Sequence, residues 1–167
     1  MNISSFEEGM NAYNDDDFKT AFDIFQALAE DHNADALNQL GKLYEDGVGV
    51  GYDFEKAGWH YRKAADRQHV GAQLNLGWLY YSQEERHNPE SLYWFRKAAN
   101  QGSSTAQWQI GHIYEVGDLV DLDVDRACEW YVKSAKQEDN SFALEDLEEL
   151  RSEERRVGKE GRSRWSP

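Results

Sequence analysis

The sequence predicts an all-α fold, an α-solenoid of stacked antiparallel helix pairs, on three observations. A Gly-x-x-Tyr recurs and is followed each time, about twenty residues on, by an aromatic-x-Lys-small-Ala cluster: Gly41 to Tyr44 with Tyr61 to Ala65, Gly77 to Tyr80 with Phe95 to Ala99, and Gly111 to Tyr114 with Tyr131 to Ala135. The period is nearly fixed, 36 residues from Gly41 to Gly77 and 34 from Gly77 to Gly111. A repeat of this length is the mark of stacked helix pairs, none of which can bury its apolar face without its neighbours. Small residues also recur at set positions, Ala36, Ala72 and Ala106 with the three glycines, opposite the large rings of Tyr61, Phe95 and Tyr131. Burying one such ring is worth about 1.5 to 3 kcal/mol, so these positions read as core and not as a ligand box.

The elements follow in order. An opening pair covers Ser5 to Tyr13 and Phe18 to Glu30. The first helices of the full pairs run over Ala34 to Glu45, Val70 to Ser82 and Thr105 to Val116, and the second helices over Phe54 to Arg67, Pro89 to Gln101 and Val124 to Gln137. A ninth helix, half of a further repeat, begins at Ser141. Asp53 and Asp123 stand where a helix wants an N-cap oxygen, and Pro89 suits a first turn because its missing amide hydrogen has no partner there anyway. Gly47, Gly49 and Gly51 supply positive-φ freedom to the turn between the helices of the first full repeat. The second repeat shortens that loop by two residues. In domain terms, residues 5–33 form a half or degenerate first repeat, 34–69, 70–103 and 104–140 form full repeats, and 141–150 a truncated one.

Beyond Leu150 the chain changes from acidic and periodic to basic and aperiodic. Residues 151–167 (RSEERRVGKEGRSRWSP), reverse-translated, resemble a widely used sequencing-library adapter read in frame, with Gly161 where the usual translation has Cys; this segment is read as a non-native tail. It carries six basic and three acidic residues, so the remaining 150 hold 12 basic and 29 acidic, a formal charge of −17 against −14 for the whole. Such a surface repels nucleic acid phosphates and anionic membranes. Cys128 is the single cysteine, which excludes an intramolecular disulfide and a cysteine-based zinc cage and leans the reading towards the cytosol. The first 30 residues contain Glu7, Glu8, Asp15, Asp16 and Asp17 among their carboxylates and no apolar run of signal-peptide or membrane length, so a cytoplasmic location is expected.

The pattern Ala-x-x-x-Leu-Gly-x-x-Tyr, then Gly-x-Gly-Val-x-x-Asp-x-x-Lys-Ala, then aromatic-Tyr-x-Lys-Ala-Ala resembles the Sel1-like repeat, a relative of the tetratricopeptide repeat, and Ala36 to Tyr44, Gly47 to Ala57 and Tyr61 to Ala65 match it almost throughout. The opening Glu8-Gly9 to Ala29 resembles the half-repeat that often begins such proteins. Three departures stand out: the second repeat lacks the Gly-x-Gly-Val loop, Leu119 replaces its second glycine in the third, and Glu148 replaces the expected helix glycine. Leu119 leaves that turn's backbone open, and Glu148 weakens the last packing step.

The resemblance implies an adaptor whose concave groove is lined by the first helix of each pair. On that frame the groove positions map to Asp35, Asn38, Lys42 and Glu45, then Leu74, Trp78 and Tyr81, then Thr105, Trp108, His112 and Glu115. Asn38, Lys42, Trp78, Tyr81, Trp108 and His112 are the candidate partner-binding residues. Trp78 and Tyr81 interrupt positions that are polar or charged in the other repeats, as interface anchors do; Trp108 reads equally as an anchor or as packing between repeats. The expected partner is another protein, through a peptide or helix bearing basic and apolar residues, with no cofactor, nucleic acid or membrane. No catalytic residue and no metal site is assigned. The five histidines never fall at metal-ligand spacing. Asp121-x-Asp123-x-Asp125 opens like a calcium loop but has Arg126 at the glycine and Val132 at the bidentate glutamate. A second reading is an enzyme, because some cysteine-rich secreted Sel1-like proteins are described as penicillin-binding or β-lactamase-like. That subgroup pairs cysteines within each repeat, and this chain has Cys128 alone.

Overall fold

The protein is described by a computed structural model over residues 5–82, 88–136 and 143–152. Among these residues there are nine helices and no strand: α1 (Phe6–Asn14), α2 (Phe18–Glu30), α3 (Ala34–Asp46), α4 (Phe54–Ala65), α5 (Val70–Tyr81), α6 (Pro89–Asn100), α7 (Ser104–Val116), α8 (Val124–Ala135) and α9 (143–152). The chain forms two compact units, Met1–Ser82 with α1 to α5 and Gln83–Pro167 with α6 to α9. The shortened loop of the second repeat and the non-native reading of 153–167 fall outside the described residues; 151 and 152 continue α9.

In the first unit the core gathers Ala21, Phe25, Leu28, Ala36, Leu40 and Leu43, with Phe6, Met10, Tyr13 and Phe18 packed against it. The small-to-large device is explicit. A Cβ placed on Gly41 would lie 2.5 Å from Cδ1 of Tyr61, a fully buried ring of the same repeat's second helix. In the second unit Gly111 stands in the same relation to Tyr131, at 2.7 Å. Each glycine is there because a ring occupies the space of its missing side chain. In α9 the buried Ala143, Leu147 and Leu150 keep the register of Ala106, Ile110 and Ile113, while Glu148 at the glycine position is exposed.

Helix starts follow local chemistry. Ser5, read as a first helical residue, is instead the N-cap of α1: its Oγ accepts from Glu8 N and the Glu8 carboxylate accepts from Ser5 N, a reciprocal capping box. Asp53 and Asp123 cap α4 and α8 as expected, accepting from Lys56 N and Arg126 N at 3.0 Å each. Those amide bonds hold the Asp53 carboxyl below its ordinary pKa. Pro89 follows the N-cap Asn88.

Helix ends differ more from expectation. The second helices α4 and α6 stop before Arg67 and Gln101, because the chain turns left-handed at Gln68 (φ 62) and Gly102 (φ 92), as it does after α2 at His32 (φ 62). The next amide then closes the turn, Asn33 N to Leu28 O, His69 N to Ala64 O and Ser103 N to Ala98 O, and the same residue caps the following helix. Buried Gln73 and Gln107 reach back to donate to Ala65 O and Ala99 O, 3.2 Å each, a second bond to carbonyls that also accept from Gln68 N and Gly102 N.

The two described turns between the first and second helices of full repeats close alike, with Asp53 N on Tyr44 O and Asp123 N on Tyr114 O. Gly47 (φ 67), Gly49 (φ 73) and Gly117 (φ 68) are left-handed, but Gly51 is not, contrary to the expectation, since the chain is already running out towards the extended N-cap Asp53 (φ −151). Leu119 likewise avoids positive φ, so the third-repeat turn reaches the same closure without its second glycine.

Candidate functional site

The candidate residues divide between the two units. In the first unit α3 and α5 are joined by two polar links. Asn75 Nδ2 donates to Asn38 Oδ1 at 3.0 Å, and His69 Nε2 meets Asp35 Oδ1 at 3.0 Å. The His69 Nδ1 atom accepts from Ala72 N, so the proton on this ring sits on Nε2 and is donated to Asp35. Lys42 is exposed and lies over the Tyr13 ring, 5.4 Å from its centroid. Trp78 and Tyr81 are both partly buried and meet edge to face, with centroids 5.9 Å apart and planes at 82°. Positions three and four apart share a helix face, so Asn75, Trp78 and Tyr81 form one stripe of α5.

In the second unit Trp108 and His112 lie one turn apart on α7 with ring centroids 5.8 Å apart. Trp108 Nε1 donates to Asp146 Oδ2 at 2.5 Å, so this ring ties α7 to α9. His112 keeps Nδ1 buried and without a hydrogen-bond partner among the described residues. The pair therefore serves the packing of its own unit as well as any contact outside it.

Two groove assignments change. Glu45 and Glu115 turn towards the second helix of their own repeat, where they accept the phenol hydrogens of Tyr61 at 2.5 Å and Tyr131 at 2.6 Å. Burial, with the carboxylate behind it, raises each phenol far above its ordinary value, so the proton stays on the tyrosine and the bond is retained at neutral pH. Asp35, with a side chain 61% exposed, is the acidic group of this α3 stripe that remains at the surface.

Sequence reading overlooked Asn75, which the α3 to α5 bond reveals, and the outward rings Trp59 and Tyr93, 55% and 51% exposed, with Lys63 and Lys97 over them at 5.3 and 5.0 Å. The repeated aromatic-x-x-x-Lys spacing on the second helices was the available signal for these. An open depression of about 350 Å³ runs along α8 between Asp125, Cys128, Glu129, Val132, Lys133 and Lys136. Among the described residues no three His, Cys, Asp or Glu side chains converge on a metal-sized site, and no helix is long and apolar enough to cross a membrane.

Comparison with known proteins agrees with this architecture. The chain is 31% identical over 121 residues to chitin synthase regulatory factor 3 of Schizosaccharomyces pombe, covering 70% of this chain and 13% of that one. Among solved structures it is similar to a Sel1 repeat protein from Oxalobacter formigenes (TM-score 0.76, 33% identity, 86% of this chain and 59% of that one). It is also similar to a protective antigen of uropathogenic Escherichia coli with an SLR fold (TM-score 0.78, 35% identity, 85% of this chain and 32% of that one). The Sel1 repeat profile matches residues 34–69, 70–103 and 104–139, which are the three helix pairs whose glycines, rings and caps recur above. By these three consecutive repeats and by its all-α solenoid class, the chain belongs to the Sel1 repeat family.

Proposed function

We propose that this protein is a non-enzymatic interaction scaffold that binds a segment of another protein on the face of α3 and α5 bearing Asn38, Lys42, Trp78 and Tyr81. The observation that carries the reading is the edge-to-face pair of Trp78 and Tyr81, a partly exposed apolar patch on a stripe whose counterparts in the neighbouring repeats are polar or charged. Truncating an aromatic anchor set among polar groups often costs about 2 kcal/mol or more of binding. The similarity to a chitin synthase regulatory factor, named for regulation and not for chemistry, supports a scaffold over an enzyme. With a net charge of −14 and the exposed Asp35 on the same face, the protein favours a partner with lysine or arginine beside its apolar residues. The charge also predicts association that slows as salt rises.

The test is capture of partners from the native host by the wild-type chain and by Trp78→Ala/Tyr81→Ala, with circular dichroism to show the variant folded. Loss of the captured proteins with the variant is the expected result. A folded double variant that keeps every partner at full affinity would remove this face from consideration.

A further inference from the structure

We propose that two copies of this chain pair through α8, antiparallel, about a two-fold axis at the middle of that helix. The observations behind this are separate from those on α3 and α5.

The open depression of about 350 Å³ along α8 has an apolar middle and a charged rim. Cys128 and Val132 are partly buried, while Asp125, Glu129, Lys133 and Lys136 around them are exposed. Spacings of three and four residues put all six on one stripe of the helix, the arrangement of a seam between two helices. Val132 stands where the two preceding second helices carry Arg62 and Arg96, which donate to the hydroxyls of Tyr80 and Tyr114 on the following first helix at 3.0 Å each. An alkyl side chain cannot make that bond, so this stripe of α8 is not tied into the stack as its counterparts are.

The charges select what covers it. With a net charge of −14 the chain repels a second copy over most of its surface, yet this stripe carries Asp125 and Glu129 against Lys133 and Lys136 and is locally neutral. Its signs are also separated along the helix, acidic in the first half and basic at the end. A uniformly basic or acidic partner would leave one half of the stripe facing like charge, and so would a parallel copy. Laid antiparallel on a second copy, each residue meets the one equally far beyond the axis. Asp125 then faces Lys136 of the copy, Glu129 faces Lys133, and Cys128 faces Val132; the midpoints of these pairs all fall at Trp130, at Tyr131 or between them. One register therefore satisfies the whole stripe, and the two-fold axis makes every contact twice. Lys133 is already held over its own Trp130, with Nζ 3.9 Å from the ring centroid, so less side-chain freedom is lost on pairing.

Sedimentation velocity on the full chain over a series of concentrations is expected to show a reversible monomer–dimer equilibrium. It should be weak, because one helix face buries less than the roughly 1,600 Å² of a standard interface. Glu129→Lys and Lys133→Glu each turn two attractive contacts into two repulsive ones, and each should raise the dimer dissociation constant about tenfold or more. An equimolar mixture of the two variants has opposite signs at both contacts again, as does the double variant Glu129→Lys/Lys133→Glu, and both should associate as the parent does. Circular dichroism checks that each variant is folded, and recovery in the mixture can occur only if both are. A parent that stays monomeric at every concentration would overturn the proposal and leave the stripe to another occupant. A dimer indifferent to either reversal, or single-variant losses that neither the mixture nor the double variant restores, would overturn it as well.

Discussion

Replacing Gly41 by alanine should destabilise the protein relative to the same replacement at Gly58, and the difference isolates the steric role of the repeated glycine. Both residues lie within helices of the first unit, so both variants gain about 1 kcal/mol of helix propensity, and that gain cancels between them. What remains is the neighbourhood of the new methyl group. At Gly41 it would sit 2.5, 2.6 and 3.0 Å from Cδ1, Cε1 and Cγ of Tyr61. That ring is fully buried and its hydroxyl is tethered to Glu45, so it cannot swing into solvent to make room. At Gly58 the nearest atom is Cδ2 of Leu79 at 3.4 Å, an ordinary contact. Overpacking a close-packed site costs about 1 to 3 kcal/mol, so Gly41→Ala should fall below Gly58→Ala by that amount, with Gly58→Ala at or above the parent. Urea denaturation followed by helical circular dichroism measures both on the same transition. Equal midpoints for the two variants would refute the argument that the ring dictates the glycine.

Three further outcomes are expected. Tyr61→Phe removes the phenol that Glu45 accepts and should cost about 1 kcal/mol in the same urea titration. Gln68→Gly relieves a left-handed conformation at φ 62 and should raise stability by about 0.5 to 1 kcal/mol, whereas Gln68→Val should lower it; the two melting temperatures should move in opposite directions. His60 is buried, with the Lys56 cation nearby, and its pKa is lowered from 6.5 to about 4. The unfolded imidazole takes up its proton near 6.5 while the folded one resists until about 4, so the parent should lose about 2 to 3 kcal/mol as pH falls through that window and nothing from this group above it. His60→Trp, which matches Trp94 and Trp130 at the same repeat position, should flatten that part of the stability profile against pH.

The helix pairs and their starts were legible because their causes are local. An Asp before an apolar run or a Pro in a first turn acts within one turn of itself, and Asp53, Asp123 and Pro89 behave accordingly. The recurrent glycines were legible as close-approach positions because the period names their partner rings. Helix ends were less so, since neither His32 nor Gln68 has a composition that announces a left-handed residue; the turn is imposed by the next helix arriving at Asn33 and His69. The face of a boundary residue was not legible either. Glu45 and Glu115 have the spacing of groove residues, but the phenol that claims each lies 16 positions further along, and nothing local reports it. Asn75 escaped notice for the same reason, its partner being 37 residues away.

The bonds from Tyr61 to Glu45 and from Tyr131 to Glu115 have a consequence for how this surface can be altered. They draw Glu45 and Glu115, near the ends of their first helices, into the frame and leave the position one turn earlier, Lys42 in one repeat and His112 in the other, outside that bond. Lineages of such repeats can therefore diversify at Lys42 and its counterpart Trp78 without disturbing the tyrosine lock. An engineer can do the same: randomising 42 and 78 while holding 45 and 61 constant gives a library whose members share one scaffold and differ in what they recognise.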